Sequence, residues 1–582
     1  MMGDGYSLGR YIWAHRKLVL GCILFGTLTV SINLALPFII REMVDALVNG
    51  TFTREGLLRQ VGWYGAGSLI AAAFSLGMRR LPLLLAHHIV YDLKQAVYEH
   101  LTGMDSTYFH AQRTGDIMTR MNADIRAVAD MIGHGLMNIT RASLAFTIGF
   151  IIMFGIETRL ASIMAILLPA MTLIGFAFVM LIKKRYEEVQ AQFSEISNYC
   201  QESFSGIRLV KSYGIEARQR STFKGLNQKY FDMNMSLCKV EAPVWPLLGF
   251  LFVLGNLLIL LVGGRLVILE EMSMGTLVQF QQYMLYLQWP TLSMGWALSL
   301  IMRGRASWGR VKKILDAQPD VRDGEQTNAV LQQVSGDIEY RQVSLEIGGT
   351  TLLDDLNFTI PQGMTIGVTG PTGSGKTLLA GLLTRQVDPT SGEVLVGGHD
   401  VRAFPLEVLR RDIRTAPQEP FLFSDTLASN ISFGLEEPGE ETMEWASEIA
   451  QMTRDAEDFP SGFETVLGER GVTLSGGQRQ RTAIARAVAS NPHILVLDDT
   501  LSAVDTHTEA EILSRLLPVL KERTSVLISH RVSTLKYAEL IIVIENGRVS
   551  QMGRHEELTQ QEGYYRELDL MQRLEAQLEA IR

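Results

Sequence analysis

The sequence predicts an α-helical transmembrane domain of six spans with long cytoplasmic helical extensions, fused to an α/β domain built around a phosphate loop. Three observations lead there. Long apolar runs dominate the chain up to about residue 300. Beyond them, short β-like runs alternate with helices and charged loops, as in a soluble α/β protein. Within that second half, Gly370-Pro371-Thr372-Gly373-Ser374-Gly375-Lys376-Thr377 matches G-x-x-x-x-G-K-[ST]. At 582 residues the chain is too long for one domain. Its net charge of −9 argues against a nucleic-acid partner. Cys22, Cys200 and Cys238 are widely spaced, form no metal pattern, and read as ordinary reduced residues.

From the start, Tyr6 to Lys17 mixes Leu8, Tyr11, Ile12 and Trp13 with Arg10, Arg16 and Lys17, the pattern of an amphipathic helix on a membrane surface. Leu18–Ile40 follows as a first span, too long for a signal peptide, since ~20 apolar residues cross the hydrocarbon core. Five further spans are expected at about 61–78, 142–156, 160–182, 244–263 and 276–298. Basic residues cluster on one side, at Arg16/Lys17, Arg79/Arg80, Lys183–Arg185 and Arg303–Lys313. By the positive-inside rule that side is cytoplasmic, so both termini are expected there, in a bacterial inner membrane.

The connections Tyr91–Asp130 and Lys183–Lys239 are too polar for lipid yet helical in pattern. They predict membrane helices extended into the cytoplasm, turning near Ser106–Asp116 and Ser205–Gly214. Pro37, Pro169, Pro246 and Pro290 are expected to kink or end helices. Gln279, Gln281, Gln282, Tyr283 and Gln288 make the last span unusually polar, which fits either helix–helix hydrogen bonding or a wet substrate path. His87, His88 and the scattered methionines read as packing or surface residues. The predicted domains are therefore an interfacial helix over 1–17, a transmembrane domain over 18–313, a linker over 314–336 and a nucleotide-binding domain over 337–582.

In the second half, Met364–Thr369 reads as a short buried strand feeding the glycine-rich loop, and Leu378–Leu383 as the start of a helix. Glycines let backbone N–H groups approach a phosphate chain, and the helix aims its positive end at that charge. Lys376 is expected on the β/γ-phosphates of ATP and Thr377 on Mg²⁺. Ile494–Asp498 is an apolar strand ending in a carboxylate suited to the same Mg²⁺.

Between these motifs stands Leu474-Ser475-Gly476-Gly477-Gln478, and with it the chain resembles the ABC ATPases. The accompanying pieces occur in order: Gln418 in Pro417-Gln418-Glu419, Gly468-Glu469-Arg470-Gly471, Ser502-Ala503-Val504-Asp505, and His530 in Ile528-Ser529-His530-Arg531. Six spans ahead of such a domain resemble the exporter-type half-transporters of the multidrug and lipid-flippase group. The resemblance implies two chains paired head to tail with two ATPs between them. Gln418 would then sense Mg²⁺ and the attacking water, and His530 would hold the γ-phosphate. Ser475, Gly476, Gly477 and Gln478 would close over the partner's ATP. The turns near Tyr108–Gly115 and Gly206–Tyr213 would couple the domains, one in its own ATPase domain and one in the partner's.

Two departures stand out. Asp499 occupies the position where the family usually has a catalytic glutamate. Its carboxylate is set back by roughly 1.3 Å, and a displacement of about 1 Å can cost ~10²-fold in rate. Ile347 falls where the family stacks an aromatic ring on adenine; loss of that stacking would forfeit ~1–3 kcal/mol, though an aliphatic side chain can still cover a base face. Both departures resemble the weaker half of a heterodimeric exporter, whose partner supplies the glutamate. The expected cargo is an amphipathic drug or lipid. The alternatives are a homodimer with a slow Asp499, an importer of metal chelates on the same fold, and an ATP-binding regulatory or channel-like subunit.

Overall fold

The computed structural model describes residues 7–51, 53–437, 439–468 and 474–581. Tyr6, at the head of the expected interfacial helix, and Glu469–Gly471 of the motif preceding Leu474 lie outside those residues. The chain divides into two compact units. The first comprises Met1–Gly103 and Arg113–Ala317; the second comprises Met104–Gln112 and Gln318–Arg582.

The first unit is a bundle of long helices. Leu8–Ala14 is a single short amphipathic helix that breaks at His15, and Arg16 folds its guanidinium 4.5 Å over the Trp13 ring. Among the described residues five helices are long and apolar enough to cross a membrane: Arg16–Val48, Arg54–Thr102, Thr114–Ile156, Thr158–Ser205 and Glu216–Ile268. The expected sixth span lies in Met274–Leu315, a helix of 42 residues. It has the length but not the apolarity of the other five, because its glutamines lower it. Pro37, Pro169 and Pro290 sit inside their helices rather than ending them.

Polarity in the last helix is partly turned inward. Gln279 donates to the Tyr283 hydroxyl at 2.9 Å, and that hydroxyl donates to the Leu34 carbonyl at 3.2 Å, with both side chains fully buried. Tyr283 thus bonds across helices while Gln279 supports it from within the same helix, with Gln279 Oε1 left without a partner among the described residues. The helix Thr114–Ile156 carries two wide, π-type turns at Arg120–Asp124 and Met131–Leu136. Close approach here depends on small residues: a Cβ at Gly304 would run into Met131 and the Ala127 carbonyl.

Both polar connections are helical; the first breaks at 103–105, just ahead of the expected window, and again at 112–113 within it, and the second breaks within its window. Arg54–Thr102 ends at Gly103, and the short helix Ser106–Ala111 precedes Thr114. Thr158–Ser205 gives way to the short helix Ile207–Ser212 before Glu216–Glu241.

The second unit holds two sheets. A four-stranded antiparallel sheet runs in the order Thr350–Ile360, Ile338–Ile347, Ser391–Val396, His399–Asp400. A six-stranded sheet runs Arg548–Gly553, Leu540–Glu545, Thr365–Thr369, Thr524–Ile528, Ile494–Asp498, Ile413–Ala416. All its pairings are parallel except the first, antiparallel one. The strands Thr365–Thr369, Ile494–Asp498 and Thr524–Ile528 are buried throughout, which explains their unbroken apolar runs. Met104–Gln112 packs into this unit although its neighbours in sequence belong to the first. The buried Asp105 carboxylate accepts the N–H groups of Tyr108, Asp320 and Val321, and Ser106 donates to the Gln386 carbonyl at 2.9 Å. Burial pushes the Asp105 carboxyl up, but those N–H groups outweigh it and hold it below its ordinary value.

Candidate nucleotide site

Ligands of open parallel sheets sit beyond the carboxyl ends of the strands. Here Thr365–Thr369 and Ile494–Asp498 are separated by Thr524–Ile528, and all three run in parallel. Their ends therefore deliver the loop after Thr369, the carboxylates after Leu497 and the turn at His530 to one edge. The loop Gly370–Gly375 rises from the first strand and feeds the helix Lys376–Leu383. Gly370, Gly373 and Gly375 adopt φ of 148°, 81° and 97°. A Cβ at Gly370 would collide with the Ile544 carbonyl, so only glycine fits there.

A cleft of about 250 Å³ opens above this loop, lined by Thr372, Gly373, Gly375, Lys376, Thr377, Leu378, Gln418, Asp498, Asp499, Ile528 and His530. Five predicted parts therefore meet in one place: the loop, Gln418, both aspartates and the histidine. Gly370, Pro371 and Ser374 shape the loop from behind. Lys376 curls back, its Nζ donating to the carbonyls of Gly370 at 2.9 Å and Pro371 at 2.8 Å. Burial lowers its pKa, while the nearby Asp499 and Asp498 charges oppose that shift. Asp498 is raised, chiefly by burial; the Thr377 hydroxyl bonded to it pulls the other way, and the Asp499 charge adds to the rise. Among the described residues no group of three or more His, Cys, Asp or Glu side chains gathers as a metal cage. A hydroxyl and a carboxylate held together at a phosphate loop are nonetheless the hard oxygen donors that suit Mg²⁺, which takes few protein ligands when phosphates supply the rest.

Asp499 is buried with a left-handed backbone, φ 45°, a region that aspartate visits more readily than most residues. Its N–H donates to the Ile528 carbonyl at 2.8 Å, and Gln418 Nε2 reaches its Oδ2 at 3.4 Å. His530 has its pKa lowered by burial first and the Lys376 charge second, with Asp499 offsetting them, so the ring is neutral at pH 7. Ile347 ends its strand at the Gly348-Gly349 turn, 43 % exposed.

Ser475–Gln478 lie elsewhere. Ser475 caps the helix Gly476–Ala489: its hydroxyl accepts the Gln478 N–H, and the Gln478 side chain accepts the Ser475 N–H. Gln478 also donates to Asp455 at 2.8 Å. None of these four residues lines the cleft, and Ser475 is exposed.

Two supporting residues escaped sequence reasoning. Gln480, five residues past Ser475, donates to the Ser502 hydroxyl at 3.0 Å and to the Asp499 carbonyl at 3.4 Å, and it accepts the Ala503 N–H. It ties the signature helix to the loop behind Asp499. Gln572, on the helix Tyr564–Ile581, donates to the His530 carbonyl at 2.7 Å and accepts the Val532 N–H. The adjacency of Gln480 to the motif was a usable signal. For Gln572, 42 residues from His530, there was none.

Comparison with known proteins accords with this geometry. The family described as ABC transporter transmembrane region matches residues 19–291, and that described as ABC transporter matches residues 353–502. The chain is 33% identical, over 96% of each chain, to the uncharacterized ABC transporter ATP-binding protein YknU of Bacillus subtilis. It is also 33% identical, over 91% of each, to the probable multidrug resistance ABC transporter ATP-binding/permease protein YheI of the same organism. To the multidrug resistance-like ATP-binding protein MdlA of Escherichia coli it is 31% identical over 98% of this chain and 97% of that one. A bacterial Atm1-family ABC exporter with ATP bound superposes with a TM-score of 0.81 at 25% identity, covering 96% of this chain and 99% of that one.

Proposed function

The chain belongs to the ABC transporter family, as an exporter-type half-transporter with an ATPase domain that works as a dimer, and we propose that its partner is an unlike chain and its cargo an amphipathic drug or lipid. The observation carrying this reading is the content of the cleft. The phosphate loop, Gln418, Asp498 and His530 are gathered there, yet the group beside Gln418 and Lys376 is an aspartate. With the shorter side chain the carboxylate falls short of an attacking water, so the site on this chain's own phosphate loop binds ATP and turns it over slowly.

In that site the loop N–H groups and the N-terminus of helix Lys376–Leu383 hold the phosphates, and Lys376 swings from the Gly370 and Pro371 carbonyls onto the γ-phosphate. Mg²⁺, when bound, supplies Lewis-acid neutralisation of phosphate charge. Thr377, Asp498 and Gln418 would hold it. Neutral His530 donates one ring N–H toward the γ-phosphate. The exposed Ser475, with Gly476 and Gly477 at a helix N-terminus, is free to close over the partner's ATP, where a glutamate completes the fast site. The multidrug names of the relatives YheI and MdlA support the cargo class. The bond of Met104–Gln112 to its own ATPase unit supports one coupling contact in cis. Leu209 and Tyr213, 64 % and 76 % exposed, are left for the partner. The basic loops support a cytoplasmic ATPase domain at the inner membrane.

The test is purification of the chain with and without whatever half-transporter travels with it. The lone chain should hydrolyse ATP slowly, and the pair at least tenfold faster. Full activity of the lone chain, unaffected by Asp499→Asn, would return the slow-homodimer reading to first place.

A further inference from the structure

Apart from the nucleotide cleft, the membrane unit contains a larger cavity of about 610 Å³, walled by the helices Arg54–Thr102, Thr114–Ile156 and Met274–Leu315. That volume suits a small organic ligand or a lipid headgroup. Its ionisable lining is Lys94, Arg126 and Arg303 against one carboxylate, Asp130. Asp124, on the same wall, is already engaged, held by Nε and Nη2 of the Arg310 guanidinium at 2.8 and 2.5 Å. Among the described residues Lys94 donates only to the neutral Asn122, at 3.1 Å. Among the described residues neither Arg126 nor Arg303 pairs with a carboxylate. A concave, partly enclosed surface with three cations and one anion concentrates positive potential.

The wall that presents these groups is unusual in its backbone. Asn122, Ala123, Arg126, Ala127 and Asp130 lie on or between the two π-type turns of one helix, a distortion that recurs at functional sites. Asp124, in the first of these turns, faces Arg310, while Arg126 faces the cavity. Further along the same helix, His134 pairs with Trp296 at 6.4 Å. Beyond it Arg141, where the apolar stretch begins, has a buried Nε with no hydrogen-bond partner. The Tyr286 hydroxyl, in the field of the Arg141 charge, is buried and unpartnered too. An ionisable side chain in a spanning bundle marks a path by default. Arg303 stands five residues past the apolar stretch 276–298, about 7 Å along its helix. The cavity thus opens at the membrane boundary, and the unpartnered Arg141 lies inward of it.

We infer that this cavity is an acceptance site for the anionic headgroup of an amphiphile, held between Arg126 and Arg303, with Arg141 as the next station inward. The inference rests on the exporter reading and narrows its cargo from amphipathic compounds to acidic ones. The recognising chemistry is a phosphate or carboxylate, borne by a lipid or by a soluble organic acid.

The experiment uses the full chain, with its partner, in nanodiscs, and reads binding without ATP. Fluorescent phosphatidylglycerol and phosphatidylcholine of equal chain length are compared by anisotropy, with trinitrophenyl-ATP binding as the check on folding. Phosphatidylglycerol should bind at least tenfold more tightly. Arg126→Gln with Arg303→Gln should remove that preference, and Arg126→Lys with Arg303→Lys should keep most of it, both leaving nucleotide binding unchanged. Displacement of the probe by millimolar citrate would assign a soluble anion as an equal occupant, and displacement by lipid alone would assign the headgroup. Equal binding of the two lipids, or equal loss with Lys and Gln, would overturn the inference. Because binding is read without ATP, failure of ATP-driven transport would sink the exporter reading without touching this result.

Discussion

The phosphate loop and the Ser475 segment are built alike and end up opposite. Each is a glycine-rich turn feeding a helix N-terminus, at Lys376 in one case and Gly476 in the other. The first turn is walled in by side chains that can act on a phosphate: Lys376, Gln418, Asp498, Asp499 and His530. The second stands at the surface, its cap satisfied within itself, and the acid tied to it, Asp455, is already held by Gln478 and Arg481. A helix N-terminus attracts a phosphate, but chemistry on that phosphate needs the groups that only the cleft supplies. On the proposed reading each surface is half of a site, and this chain brings one good half and one blunted half.

The contrast is broken or sharpened by substitution in the paired complex. Ser475→Arg, which fills the exposed turn, should abolish nearly all turnover, by about 10²-fold or more, while Asp499→Asn changes it less than about twofold. Equal losses in steady-state ATPase would mean the two halves are equivalent. Asp499→Glu should raise hydrolysis by the lone chain about tenfold, provided the left-handed backbone at 499 is kept, since the missing methylene is restored. No gain would show that reach is not what limits the site. Gln480→Leu should lower turnover about three- to tenfold with ATP affinity unchanged, because it frees the loop behind Asp499 without touching the phosphate loop. An equal loss of nucleotide affinity would show instead that Gln480 serves the phosphate loop. The smallest effect concerns pH. The folded-state pKa of His530 lies below the ordinary 6.5, so the unfolded ring takes its proton first as pH falls. Thermal stability contributed by the neutral ring is thus present above pH 6.5 and is lost between there and the folded pKa. The unfolding temperature of nucleotide-free protein should fall less over that window in His530→Gln than in the unmodified chain.

Much of this was legible before any coordinates. Apolar runs located the membrane helices because lipid imposes a length and a composition that no soluble fold imitates. The turns near 106–116 and 205–214 were readable as breaks in an otherwise helical pattern. The last span was harder: Gln279 and Tyr283 dilute its hydropathy, yet both are buried by bonding to each other and to Leu34. That depends on a neighbour 249 residues away. Loop, strand-end carboxylates and His530 could be named from motif order, since parallel strands deliver their ends to one edge. The departure at Asp499 was visible as a letter, but its left-handed backbone was not. Gln572 and the cationic cavity come from helices brought together only by packing, and local pattern carries no record of such meetings.

The nine residues from Met104 to Gln112 have one more consequence. A soluble fragment starting at Gln318 would leave behind the carboxylate that covers the amides of Asp320 and Val321, and the hydroxyl on Gln386. Biochemists who excise the catalytic half would thus be handling a piece with an open seam near its new end. Supplying the nonapeptide in trans, or grafting it ahead of residue 318, should close that seam and restore several degrees of melting temperature.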